Sequence, residues 1–220
     1  TVMKRNFEHY SMITSSSSNP AATLFKPGGT MSLVHADVVG RISTTGSDHL
    51  GRWSFHKLIG KAGKIITVIT AYQVCKRTTH AVNPDEGMTA YVQQERLLRE
   101  EGHPNINPRK HFCKDIISFV KTLRANNESI ILCGDFNEIL TIDSELIRLC
   151  TDPYTQLVDI LSTIHRHTSE LPTCDRGSTR IDFAPILPLI HISEPTPLLR
   201  TSYSLISSMQ PPHHRSYSTL

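Results

Sequence analysis

The order of three sequence patterns predicts an α/β fold. Two short apolar, β-rich runs joined by a Gly-containing link come first, Arg52 to Ile59 and Lys64 to Tyr72. Two stretches of helical periodicity follow, over residues 89–101 and 109–126. The apolar run Ile130-Ile131-Leu132-Cys133 then ends at Gly134. Strands, two helices and a further strand in that order require a sheet covered by helices.

Each element has its own local reason. Residues 1–26 are Ser-rich, with Ser15-Ser16-Ser17-Ser18, and read as a connector leading to Pro27-Gly28-Gly29. Thr30 to Ile42, with Val34, Val38 and Val39, predicts one or two strands. The run from Arg52 alternates and stops at Gly60, and its successor starts after Gly63, so the pair reads as an antiparallel hairpin. The link Gly60-Lys61-Ala62-Gly63-Lys64 lacks the G-x-x-x-x-G-K-[ST] spacing of a phosphate loop, which excludes that reading. Residues 73–87 are polar and loop-like. Thr89 to Glu101 is rich in helix formers and is followed by Gly102. Pro108 opens the next helix, in which Phe112, Ile116, Phe119, Val120 and Leu123 recur at helical spacing. Residues 143–168 read as short helices, with Leu157-Val158-Asp159 as a compact apolar stop, and Arg180 to Phe183 as a short strand after a turn at Gly177. From Ala184 onward the chain holds six of its thirteen prolines, no Gly and one acid, Glu194. Residues 184–220 are therefore expected to be a poorly ordered tail, leaving 27–183 as the domain.

A chain of 220 residues suits one domain with a tail, and a formal charge of +3 permits a polyanion partner without requiring one. The five cysteines are spread singly with no C-x-x-C, which favours reduced thiols over a disulfide framework or a zinc site. None of the twelve histidines forms an H-x-x-x-H pair. No apolar run approaches the ~20 residues of a membrane span, and the first thirty residues hold no signal-peptide core. These patterns predict an intracellular chain without membrane contact and show no sign of oligomerisation. The start, Thr1-Val2-Met3, reads as a processed form or a fragment.

The stretch Gly134-Asp135-Phe136-Asn137-Glu138 carries the chemistry. Side chains two apart on an extended segment point the same way, so Asp135 and Asn137 are expected to enter one cleft. A carboxylate holds a hard cation or polarises water, and an amide hydrogen-bonds a phosphate oxygen, a pairing that suits metal-assisted phosphoester hydrolysis. An ordinary strand end closed by an Asx turn uses the same residues.

Further segments stand in a fixed order: Pro27-Gly28-Gly29-Thr30, Gly51-Arg52-Trp53-Ser54, the strand from Ile65 to Tyr72, Thr89-Ala90-Tyr91-Val92-Gln93-Gln94, Pro108-Arg109-Lys110, Gly134 to Glu138, and Arg176 to Phe183. Together, over residues 5–183, they resemble the endonuclease/exonuclease/phosphatase superfamily. Within it they are most similar to the apurinic-type endonuclease domains of non-LTR retrotransposons and related reverse-transcriptase polyproteins. The resemblance implies a four-layer α/β sandwich of two packed mixed β-sheets flanked by helices, here incomplete at the N-terminus. It also implies Mg2+-dependent hydrolysis of DNA phosphodiesters, with the nucleus as one location. Residue by residue, Asp135 resembles the acid that orients or deprotonates the attacking water and touches the metal, and Asn137 the amide that binds the scissile phosphate. Tyr72 resembles a phosphate-contacting tyrosine, and Asp182 the acid that braces the catalytic histidine.

The pattern departs from the family at both ends. The metal-binding Glu that should precede Pro27 has no counterpart beyond Glu8 in Asn6-Phe7-Glu8-His9. The closing Ser-Asp-His is nearest to Pro212-His213-His214-Arg215, with His214 in the histidine's place and His213 in the acid's. Weakened magnesium binding and impaired activity are the expectation. Two alternatives stand beside it: a catalytically dead remnant with weak nucleic-acid binding, and a phosphatase-like member of the superfamily. Single residues have plainer readings too. Tyr72 suits a sheet edge, Asp182 a salt bridge after Arg180, and Trp53 the core rather than nucleic-acid stacking with Arg52. Arg109-Lys110 with Lys114 reads as a solvated helix face before a phosphate-contacting patch.

Overall fold

The computed structural model describes residues 10–15, 29–76, 89–103, 105–164, 172–173 and 179–187. In chain order the elements are β1 (Tyr10–Ser15), β2 (Thr30–His35), α1 (Ala36–Val39), β3 (Ile42–Ser47), β4 (Trp53–Ile59), β5 (Ile65–Tyr72), α2 (Ala90–Glu100) and α3 (Pro108–Ala125). They continue with β6 (Ser129–Asp135), α4 (Arg148–Thr151), β7 (Val158–Asp159), α5 (Ile160–Ile164), β8 (Asp182–Phe183) and β9 (Pro185–Ile186). β1 and β2 form an antiparallel pair, and the remaining strands form a seven-stranded sheet in the order β3-β4-β5-β6-β9-β7, with β8 also paired to β6. Two sheets with helices give the mixed α/β class read from the sequence.

The expected hairpin is present, with Trp53 opposite Ala71 and Ile59 opposite Ile65. β5 and β6 are parallel, so the chain must cross over between them, and α2 and α3 lie in that crossover. Thr89 caps α2 by accepting from the Val92 N–H at 3.3 Å, and Asn107 caps α3 by accepting from the Arg109 and Lys110 N–H groups at 2.9 and 3.4 Å. A cap of this kind contributes about 1 kcal/mol.

Alternation along β5 sets the layers. Thr67, Ile69 and Ala71 are buried on one face; Ile66, Val68, Thr70 and Tyr72 are partly open on the other. α3 covers the first face, where its Phe112, Ile116, Val120 and Leu123 pack with Trp53, Ile69, Ile130 and Leu132. Each such side chain contributes about 1.5–3 kcal/mol through burial. Trp53 is a core residue, edge-on to Phe112 and stacked on Phe119 at centroid distances of 6.0 and 6.1 Å. β2 lies against the opposite face, where Thr30 Oγ1 donates to Ser54 Oγ at 3.1 Å and Ser32 Oγ is 3.0 Å from His56 Nδ1. The buried Arg52 grips Asp48 through Nε at 2.7 Å and Asp115 of α3 through Nη2 at 2.7 Å. The Gly51-Arg52-Trp53-Ser54 motif thus joins helix, sheet and β2.

Three elements depart from expectation. β1 lies inside the stretch read as a connector. Residues 30–42, read as one or two strands, hold the strand β2 and then the four-residue helix α1, which covers Val38 and Val39. β9 lies in the proline-rich tail, pairing Ile186 with Ile131 and Pro185 with Asp159. Strands of two residues are too short to show a period, and Pro185 is tolerated because it begins its strand. Phe183 and Leu187 enter the core on either side of β9.

Candidate active site

Register across three adjacent strands assembles the site. Tyr72 of β5 is the partner of Asp135 of β6, and Asp135 is the partner of Asp182 of β8. Residues directly opposite one another share a sheet face, so the three side chains stand in one row at the C-terminal ends of β5 and β6. Asn137 joins them by a different route from extended-chain alternation. β6 ends at Asp135, and Asn137 has φ +46°, a left-handed conformation that Asn tolerates better than most residues. The Asn137 N–H donates to Asp135 Oδ1 at 2.9 Å, closing an Asx turn. Asn137 Nδ2 donates to the Gln73 carbonyl at 2.8 Å, and its Oδ1 accepts from the Cys75 thiol at 3.1 Å.

A residue that looked like solvated helix surface holds this turn in place. The Arg109 guanidinium is buried and donates to the carbonyl of Val74, to the carbonyl of Asn137 at 3.1 Å and to Glu138 Oε2 at 2.9 Å. Ser144 Oγ donates to the other Glu138 oxygen at 3.0 Å. Arg109 therefore straps the loop after β5 to the loop after β6 from the start of α3. The sequence signal was Arg immediately after the N1 proline, but its acceptors lie tens of residues away. Arg109→Lys is expected to destabilise the fold by about 2–3 kcal/mol, because one ammonium cannot serve the fork of acceptors and a buried carbonyl loses its donor. Denaturant unfolding checks this, and a loss below about 0.5 kcal/mol would contradict the strap.

The electrostatics favour a neutral phenol and a reluctant carboxylate. Burial first, then Cys75 and Asp135 nearby, push the Tyr72 phenol up. Burial also pushes the Asp135 carboxyl up; the bonds from Asn137 pull it down, while the Asp182 charge pushes it up. Asp182 does not pair with Arg180 through its carboxylate. Arg180 Nη2 binds Asp159 at 2.5 Å, and its Nε donates to the Asp182 backbone carbonyl at 3.2 Å. The Asp182 side chain has no hydrogen bond or ion pair among the described residues. Adjacent carboxylates at Asp135 and Asp182 are oxygen donors of the kind that suit a hard cation retaining several waters. No group of three or more His, Cys, Asp or Glu suited to a metal occurs among the described residues. His214, His213 and Glu8 lie outside those residues, as does the tail beyond Leu187.

Cys75, Cys113, Cys133 and Cys150 are free, and only Cys75 among them is exposed. Burial pushes the Cys113 thiol up to about 12 and raises those of Cys133 and Cys150. Of these four, Cys75 is expected to be alkylated first, since the thiolate is the reactive form. Peptide mapping after brief maleimide treatment tests the ordering; earlier labelling at Cys113 or Cys133 would contradict the packing. No helix among the described residues is long and apolar enough to cross a membrane.

No protein-family model matches the chain, and no curated protein matches it. Among solved structures it is similar to the catalytic domain of human Nocturnin with bound sulfate anion, at 14% identity and a TM-score of 0.52. That match covers 84% of this chain and 62% of the Nocturnin chain. Beta toxin from Staphylococcus aureus is also similar, at 13% identity and a TM-score of 0.42 over 84% of this chain and 65% of its own. An endonuclease/exonuclease/phosphatase family protein from Bacteroides thetaiotaomicron aligns at 14% identity and a TM-score of 0.42, over 85% of this chain and 64% of that one. The Nocturnin likeness shows a shared fold: the two-sheet α/β architecture is that of its catalytic domain.

Proposed function

We propose that this chain is a phosphodiesterase of the endonuclease/exonuclease/phosphatase type, acting on DNA in the manner of retrotransposon-type endonucleases. The observation that carries the reading is the row of Tyr72, Asp135 and Asp182 on adjacent strands, with Asn137 folded back beside it. Asp135, ionised, accepts a proton from the attacking water or orients it. Tyr72, kept protonated, donates its O–H to a non-bridging phosphate oxygen. Asn137 Nδ2 gives one hydrogen to the Gln73 carbonyl and the side chain also bonds the Asp135 carboxylate, so it takes the scissile phosphate by exchanging the Asp135 bond for a phosphate oxygen. Asp182 is the brace for a histidine, with His214 as the candidate.

Asp135 is the residue that would hold Mg2+, which when bound would neutralise charge developing on the leaving oxygen. A single carboxylate leaves most of the ion's coordination to water, so binding is expected to be weak and turnover slow. That sparse donor set also favours a second reading, a remnant that binds nucleic acid without cleaving it. Nicking of supercoiled plasmid in magnesium, by the chain and by its Asp135→Asn variant, separates the two. Slow nicking lost in the variant supports the phosphodiesterase; equal, negligible rates support the remnant.

A further inference from the structure

We infer that the groove along the outer face of α3 is a binding site for a nucleic-acid backbone, a reading that rests on the phosphodiester hydrolysis proposed above. Lys110, Lys114 and Lys121 recur at spacings that place them on one face of α3. Across a groove of about 320 Å³ they meet Arg148 of α4, with Glu145 and Asp152 on the same wall. Four cations thus face two acids. Lys121 pairs with Asp152 at 2.7 Å, and Arg148 lies 3.9 Å from Glu145. Lys110 and Lys114 form no ion pair among the described residues.

Helix stability alone does not account for this pattern. Like charges at i and i+4 repel, and cations in the opening turns of a helix oppose its dipole. The first turn of α3 contains no acid to offset them. A bound anion relieves both penalties, and local choices that defy the fold's own preferences mark functional positions. The length of the stripe selects among anions. The eleven helical steps from Lys110 to Lys121 span about 16 Å, over which one duplex strand presents about five phosphates. An extended polyanion uses that track; a single phosphate does not. Lys110 follows Arg109, whose guanidinium holds the Asn137 carbonyl, so the stripe starts at the end of α3 that is tied to the loop after β6.

The test is fluorescence anisotropy with a labelled duplex of about 20 base pairs, in EDTA so that no turnover is needed, at about 50 mM salt and upward. The variants are Lys110→Gln with Lys114→Gln, and Lys61→Gln with Lys64→Gln as an equal change of charge in the exposed link between β4 and β5. The groove pair is expected to weaken binding about tenfold and to reduce the slope of log K against log salt by about 2. The link pair should cost less than about twofold. The melting temperature of the groove pair should hold or rise, because a repulsion is removed. Equal losses in both pairs, no duplex binding by the unaltered chain, or sensitivity confined to phosphatidylserine vesicles would each overturn the inference. Binding without turnover sinks only the hydrolytic reading, and turnover with binding indifferent to the groove pair sinks only this one.

Discussion

Asp135→Asn is expected to remove magnesium-dependent nicking while raising the melting temperature near pH 7. The loss of activity follows from the role proposed for the carboxylate: an amide accepts no proton from water and holds a hard cation poorly. Removing both contributions costs about a thousandfold in rate or more, equivalent to about 4 kcal/mol. The gain in stability follows from the burial that lifts the Asp135 carboxyl, reinforced by Asp182 beside it. A carboxyl with a folded pKa above the unfolded value of about 3.9 stabilises the fold below that value. The contribution is lost as pH rises through the folded pKa, so at neutral pH the ionised group works against folding. Asn carries no charge and keeps the oxygen that accepts the Asn137 N–H. The difference in melting temperature between variant and parent should therefore be largest near pH 7 and shrink toward about pH 4. Calorimetry across that range checks it. A variant that nicks at the parent's rate, or melts lower at neutral pH, would sink the assignment of Asp135.

The parts of this fold legible in the sequence are those whose pattern is long relative to its period. β4 and β5 alternate over seven and eight residues. α3 spans eighteen residues, enough for its apolar stripe to repeat at Phe112, Ile116, Val120 and Leu123. The two-residue strands β7, β8 and β9 carry no period at all, and β9 hides in a proline-rich stretch. At the candidate site the residue types were legible and their alignment was not. Tyr72, Asp135 and Asp182 stand in one row through the registers of β5, β6 and β8, which depend on pairings far apart in the chain. Asn137 reaches the row through a left-handed Asx turn rather than by alternation. Arg109 is a related case: a basic residue at a helix start looks solvated in sequence, and only the folded loops supply the carbonyls that accept from it.

Gly134→Ala is expected to destabilise the fold by about 3 kcal/mol or more, the range in which a backbone clash cannot be relieved by side-chain movement. The apolar run ends at this Gly in the sequence, yet the residue still sits within β6, paired with Ala71 of β5. A methyl group on Gly134 would lie 1.9 Å from the Ala71 carbonyl oxygen and 2.7 Å from its carbon. Both atoms are backbone, so the strands themselves must separate. That separation falls between two consequential pairs, Thr70 with Cys133 and Tyr72 with Asp135, so the site row opens along with the sheet. For a domain of this size the expected fall in melting temperature is about 6–12 °C. Gly40→Ala is the matched control: nothing lies within 4 Å of its added methyl, its φ of −62° is open to any residue, and it should change stability by less than about 0.5 kcal/mol. Thermal unfolding of the two variants side by side decides the matter. If Gly134→Ala melted within about 2 °C of Gly40→Ala, the close approach of β5 and β6 at Ala71 would be refuted, and with it the tight register that brings Tyr72 to Asp135.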